Sequence, residues 1–205
     1  MSSKEEFERR LKKASLAIRD VVSMPDVLGI VEIENLKVLQ KLAKRINEDA
    51  VATNQENPEY EAFLEESNDL RGIDVGFLVK TTKVKVIKSH HLGKDLKHEH
   101  KDAHPKETLF SRPPYLIEVE VPDEKTGTSF KFTTVVNHFK SFRQIEKDRV
   151  QNKKKLQAEF LAKFVQERQK ENPTEPIILI ASAFLLAMFV HKPHKPEPVC
   201  TTCTH

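Results

Sequence analysis

Three short stretches hold residues whose types and spacing suit the handling of a phosphate ester. In Val135-Val136-Asn137-His138-Phe139-Lys140-Ser141, an apolar β-type run from Phe132 ends in Asn-His, with a basic residue two positions further on. An imidazole can hydrogen-bond or protonate a phosphoryl oxygen near neutral pH, and the Lys140 ammonium supplies a point charge. Asp26-Val27-Leu28-Gly29-Ile30-Val31-Glu32-Ile33-Glu34-Asn35 reads as a buried strand that ends in carboxylates. Arg71-Gly72-Ile73-Asp74-Val75-Gly76-Phe77-Leu78-Val79 reads as a strand entered through a glycine turn. Carboxylates at strand ends bind hard divalent cations such as Mg2+, which keeps several waters and often takes one or two protein carboxylates. Taken singly, a strand-end histidine is also an ordinary surface or satisfied residue, and Glu32 a solvated carboxylate. The order of the three stretches gives them weight together.

The elements that must position these residues follow from periodicity. Phe7, Leu11, Ala14, Ile18 and Val21 recur at helical spacing and predict an amphipathic helix over about 4–22. Pro25-Asp26 stops it, and Val27 to Val31 is a buried strand. Asn35 is the N-cap of a second helix reaching about Asn47, with Leu36, Leu39, Leu42 and Ile46 inward. β-type segments lie near 60–65, 73–80 and 83–88, and residues 89–107 form a loop holding His90, His91, His98, His100 and His104. Tyr115 to Val121 and Ser129 to Val136 flank a hairpin turn at Asp123-Glu124-Lys125-Thr126-Gly127. A long helix over about 145–170 and a buried strand from Ile177 to Ile180 complete the list. Strands mixed with helices predict an α/β layered fold with helices on the sheet faces.

The bulk numbers narrow the class. At 205 residues, with 38% hydrophobic and 32% charged residues, the chain is a globular protein of one domain's length. A net charge of +3 is weak support for an anionic partner. The charged opening, Met-Ser-Ser-Lys-Glu-Glu, has no apolar signal-peptide core, so a cytoplasmic location is expected. The apolar run from Ile177 to Val190 is shorter than the roughly 20 residues that span a bilayer, so no membrane segment is expected.

Together the three stretches resemble the endonuclease/exonuclease/phosphatase superfamily, with its deoxyribonuclease-I-like fold, over about residues 4–180. They look most like its bacterial extracellular-nuclease branch, whose members are often secreted. The resemblance implies a four-layer α/β sandwich, Mg2+-dependent phosphodiester hydrolysis and nucleic acid as substrate. By it Glu32 matches the metal-binding Glu, and His138, with Asn137 beside it, matches the phosphate-contacting catalytic His. Asp74 is a weaker catalytic candidate on a strand near the site, and Arg71 joins Lys140 as a phosphate-binding candidate. Strand alternation places Glu34 on the face of Glu32.

The chain also departs from the family pattern. Val31 stands where the family usually has Gln. The run Pro176 to Ile180 is followed by Ala181-Ser182-Ala183-Phe184, where the family has Gly-Asp-Phe-Asn, and no Asp or Asn occurs from Ile177 onward. The family's opening strand and closing Asp-His strands find no match. The expectation is a partial sandwich over 1–190, truncated or frame-shifted, with open sheet edges and an impaired site, followed by a disordered tail over 191–205. A non-catalytic remnant that binds nucleic acid or a protein is the alternative. In the tail, His191, His194, Cys200, Cys203 and His205 have zinc-like spacing, but the tail is short and Pro-rich, with too little apolar sequence (Val199) to fold around a metal. The His-rich loop is expected to be solvated, and so is the flank formed by Arg143, Lys147, Arg149 and Lys153-Lys154-Lys155, unless it meets phosphates.

Overall fold

The structure, a computed structural model, describes residues 4–69, 71–123, 125–139 and 144–182. The first apolar stripe forms α1 (Lys4–Leu16), prolonged by a π-helical turn over Ala17–Val21. After β1 (Val27–Ile33), the Asn35 side chain accepts the Val38 N–H at 2.9 Å and caps α2 (Leu36–Ala52). This helix continues past its expected end at Asn47. Next come β2 (Tyr60–Phe63), β3 (Asp74–Lys80), β4 (Lys85–His91), β5 (Tyr115–Asp123) and β6 (Thr128–His138). In the β5–β6 turn the Asp123 carboxylate accepts the Lys125 N–H and the Thr126 hydroxyl at 3.0 and 2.8 Å. α3 (Asp148–Glu171) and β7 (Ile177–Ser182) follow.

The strands form two sheets, ordered β1-β3-β2 and β4-β5-β6-β7. All pairings are antiparallel except β6 with β7, which α3 connects as the crossover a parallel pair needs. One face of each sheet meets the other through Val75, Phe77, Val79, Tyr115, Ile117 and Val136. The outer face of the first sheet takes α1 and α2 through Leu28, Leu39, Leu42, Ile46 and Leu78. The outer face of the second takes α3 through Leu116, Val135 and Leu161. The result is a four-layer α/β/β/α sandwich, as expected. Among the described residues β1, β2, β4 and β7 are edge strands.

Two local expectations change. β4 runs through His91, so His90 and His91 belong to the sheet and not to a loop. The segment after it is largely exposed, as expected, but two of its histidines are anchored on α3. His98 and His100 stack, and their Nε2 atoms lie 3.0 Å from Asn152 Oδ1 and Asp148 Oδ2 on α3. Glu107 accepts from Arg149 and from the buried Lys153 at 2.7 and 2.8 Å, so much of the supposed basic flank is neutralised within the fold. Lys155 pairs with Glu159. No helix among the described residues is long and apolar enough to cross a membrane. Arg143 and the Cys/His tail lie outside the described residues.

Candidate active site

Glu32 is set in place by an irregularity in β1. Val31 pairs with Val75 and Ile33 with Asp74, so Glu32 is an extra residue in a β-bulge, with φ at +58°. Up to that point alternation is regular, with Val27 and Val31 toward the second sheet and Leu28 and Ile30 toward the helices. The bulge resets it, so Ile33 also packs on the helix side and Glu32 is released at the sheet end. It also breaks the alternation that would tie Glu34 to the same face.

His138 arrives from the other sheet, at the end of β6. Its side chain is almost fully buried, and its Nε2 lies 3.7 Å from Glu32 Oε1. Arg112 comes from the loop just before β5, the strand beside β6. Its Nη1 is 2.9 Å from His138 Nδ1 and 3.3 Å from Nε2. Arg112 has N–H donors and no acceptor, so this contact is the guanidinium donating to the imidazole. Burial, and then the Arg112 charge, hold the His138 pKa below its ordinary value, with Glu32 opposing them. These influences favour the neutral imidazole.

Asp69 organises the cationic side. Its side chain is 4% exposed and lies 3.3 Å from Arg112 Nε. It also accepts from Arg71 Nε and Nη2 at 3.2 and 3.0 Å and from the Arg71 backbone N–H at 2.9 Å. The Gly72 N–H returns to the Asp69 carbonyl at 2.8 Å, with Gly72 at a φ of +60° that favours glycine. Although burial works against it, hydrogen bonds and charge from Arg71, together with the Arg112 charge, keep the Asp69 pKa low.

The fold therefore brings together Glu32, His138 and Arg71, and adds Arg112 and Asp69. The other candidates are placed differently. Asp74 is buried and accepts the Ser67 N–H at 2.9 Å, which fastens the loop that carries Asp69. Asn137 is buried on the α3-facing side with Val135, away from the His138 side, and its amide atoms have no hydrogen-bond partner among the described residues. Lys140 lies outside the described residues. The backbone of Ser182 pairs with that of His138, which brings the end of β7 beside the site.

Arg112 and Asp69 were missed by the sequence reading, but both left a signal. The β5–β6 hairpin pairs Tyr115 with Val136, so the residues just before Tyr115 must lie beside the end of β6. Arg112-Pro113-Pro114 is an extended entry into that strand, because a residue before proline avoids the helical region. Asp69 and Gly72 bracket a turn, the usual use of Asp and Gly.

For a divalent cation, the donor set is small. No group of three His, Cys, Asp or Glu side chains that could hold a metal occurs among the described residues. Asp69 is engaged by two arginines and Asp74 by a backbone N–H, whereas the Glu32 side chain is 42% exposed. One open carboxylate fits Mg2+, which fills its remaining positions with water and substrate oxygens.

Residues 2–183 match the Endonuclease/Exonuclease/phosphatase family. The chain belongs to that family. Among solved structures it is similar to the human Nocturnin catalytic domain with bound sulfate anion. The identity is 13% and the TM-score 0.53, over 84% of this chain and 56% of that one. It is also similar to a mannosyl-6-phosphatase of Bacteroides thetaiotaomicron, at 15% identity and a TM-score of 0.47, over 85% and 56% of the two chains. A family protein from the same organism matches at 16% identity and a TM-score of 0.47, over 85% and 54%. The chain thus spans a little over half the length of these solved structures. At such identities the likeness is one of fold. No curated protein matches.

Proposed function

We propose that this chain hydrolyses phosphate esters with Glu32 and His138 at the centre of the site. The observation that carries the reading is their meeting at 3.7 Å from different sheets, with Arg71 and Arg112 alongside. Water adds to phosphorus, one P–O ester bond breaks, and the leaving oxygen takes up a proton. A neutral His138 hydrogen-bonds a phosphoryl oxygen, and the guanidiniums offset its negative charge. Glu32 is the residue that would hold Mg2+, which when bound offsets phosphate charge and acidifies water.

Phosphodiesters of nucleic acid are the proposed substrate, since the Asp26–Asn35 and Asn137–Ser141 stretches look most like those of the bacterial extracellular-nuclease branch. A second reading, a binding remnant without turnover, is favoured by the absence of Asp and Asn from Ile177 onward. Purified protein with Mg2+ or with EDTA is tested on supercoiled DNA, on RNA and on a chromogenic diester and monoester. Slow Mg2+-dependent cleavage of diesters is expected. No turnover of any substrate by folded protein would leave the remnant reading.

A further inference from the structure

We propose that Asp69 is a positioning residue for this site, holding Arg71 and Arg112 in the orientation that receives a phosphoryl group. The proposal rests on the phosphate-ester reading and deepens it. Two guanidiniums side by side repel each other, and the Asp69 carboxylate between them removes that penalty. It engages Arg71 through both oxygens, at 3.2 and 3.0 Å, and Arg112 Nε at 3.3 Å. The two arginines differ in exposure. The Arg112 side chain is 12% exposed and bonds His138, while the Arg71 side chain is 65% exposed and open to solvent. Arg112 thus holds the imidazole, and Arg71 is the arm that meets an incoming anion. A planar guanidinium gripped along one edge keeps its remaining N–H groups aimed outward, which a freely rotating side chain does not.

Asp69 also accepts the Arg71 backbone N–H at 2.9 Å, so a merely structural role in the turn must be separated from this one. Asp69→Asn separates them, because an amide oxygen still accepts that N–H while the charge is gone. Simple charge counting predicts tighter anion binding after loss of a carboxylate; positioning predicts the reverse.

The test measures inorganic phosphate binding to the full chain by calorimetry without metal, and KM and kcat for a chromogenic diester with Mg2+. In Asp69→Asn we expect phosphate binding weakened about tenfold, which is about 1.4 kcal/mol. KM should rise and kcat fall, with the melting temperature within a few degrees of wild type. Arg71→Met should weaken phosphate binding similarly. Unchanged or tighter phosphate binding in Asp69→Asn overturns the proposal, as does a wild-type chain that does not bind phosphate. Phosphate binding that depends on Asp69, without hydrolysis of any ester, keeps the positioning role and overturns the hydrolytic reading instead.

Discussion

At the scale of single residues, Glu32 is where function and stability conflict. A non-glycine residue at positive φ is strained by about 1 kcal/mol or more, and such strain persists only where surrounding structure enforces it. Here the enforcing structure is the register of β1 on β3, which leaves one residue over between Val31 and Ile33. Glu32→Gly should therefore raise stability by about 1 kcal/mol in urea unfolding, through relief at the bulge. The same substitution should abolish hydrolysis. A substitution that stabilises and inactivates together marks a residue kept for chemistry. The identity of Glu32 was legible in the sequence, but the bulge was not. It arises from pairing with β3, forty residues away in the chain on the order of magnitude, and no local pattern announces it.

At the scale of elements, the chain between β4 and β5 is held by charge as well as by the buried Leu92, Leu109 and Phe110. Glu107 accepts from Arg149 and Lys153, and Lys153 donates to the Thr108 carbonyl at 2.7 Å as well. Burial alone would raise the Glu107 pKa, but these partners outweigh it and bring it down to about 2, from an ordinary 4.5. Because the folded-state value lies below the unfolded one, the stabilisation is complete above about pH 4.5 and is lost as pH falls toward 2. Glu107→Gln, which leaves the buried Lys153 ammonium without its counter-charge, should cost about 3 kcal/mol at pH 7. The gap between variant and wild type in urea midpoints should narrow steadily below pH 4.5. The sequence showed the histidines and the basic residues of α3 but not their partners. Charge runs read as solvated faces until the fold supplies a facing carboxylate. By contrast α1, α2, α3 and the β5–β6 hairpin were legible, because apolar spacing, the Asn35 cap and the Asp123 turn are all local signals.

At the scale of the molecule, the site exists because two sheets pack face to face. β1 brings Glu32 from one and β6 brings His138 from the other, while the loop before β5 adds Arg112. That layered arrangement was foreseeable from strands and helices in alternation, but the 3.7 Å approach was not, since it depends on how the two sheets register across Val75, Phe77, Tyr115 and Val136. If Glu32 and His138 act as one unit, losing either should remove most of the rate, and losing both should add little more. The decisive measurement is kcat/KM for a chromogenic phosphodiester, with Mg2+, in wild type, Glu32→Gln, His138→Ala and the double variant. Each single substitution is expected to lower it at least about a hundredfold, with the double variant close to the poorer single one. Turnover that survives both substitutions at the wild-type rate would contradict the account.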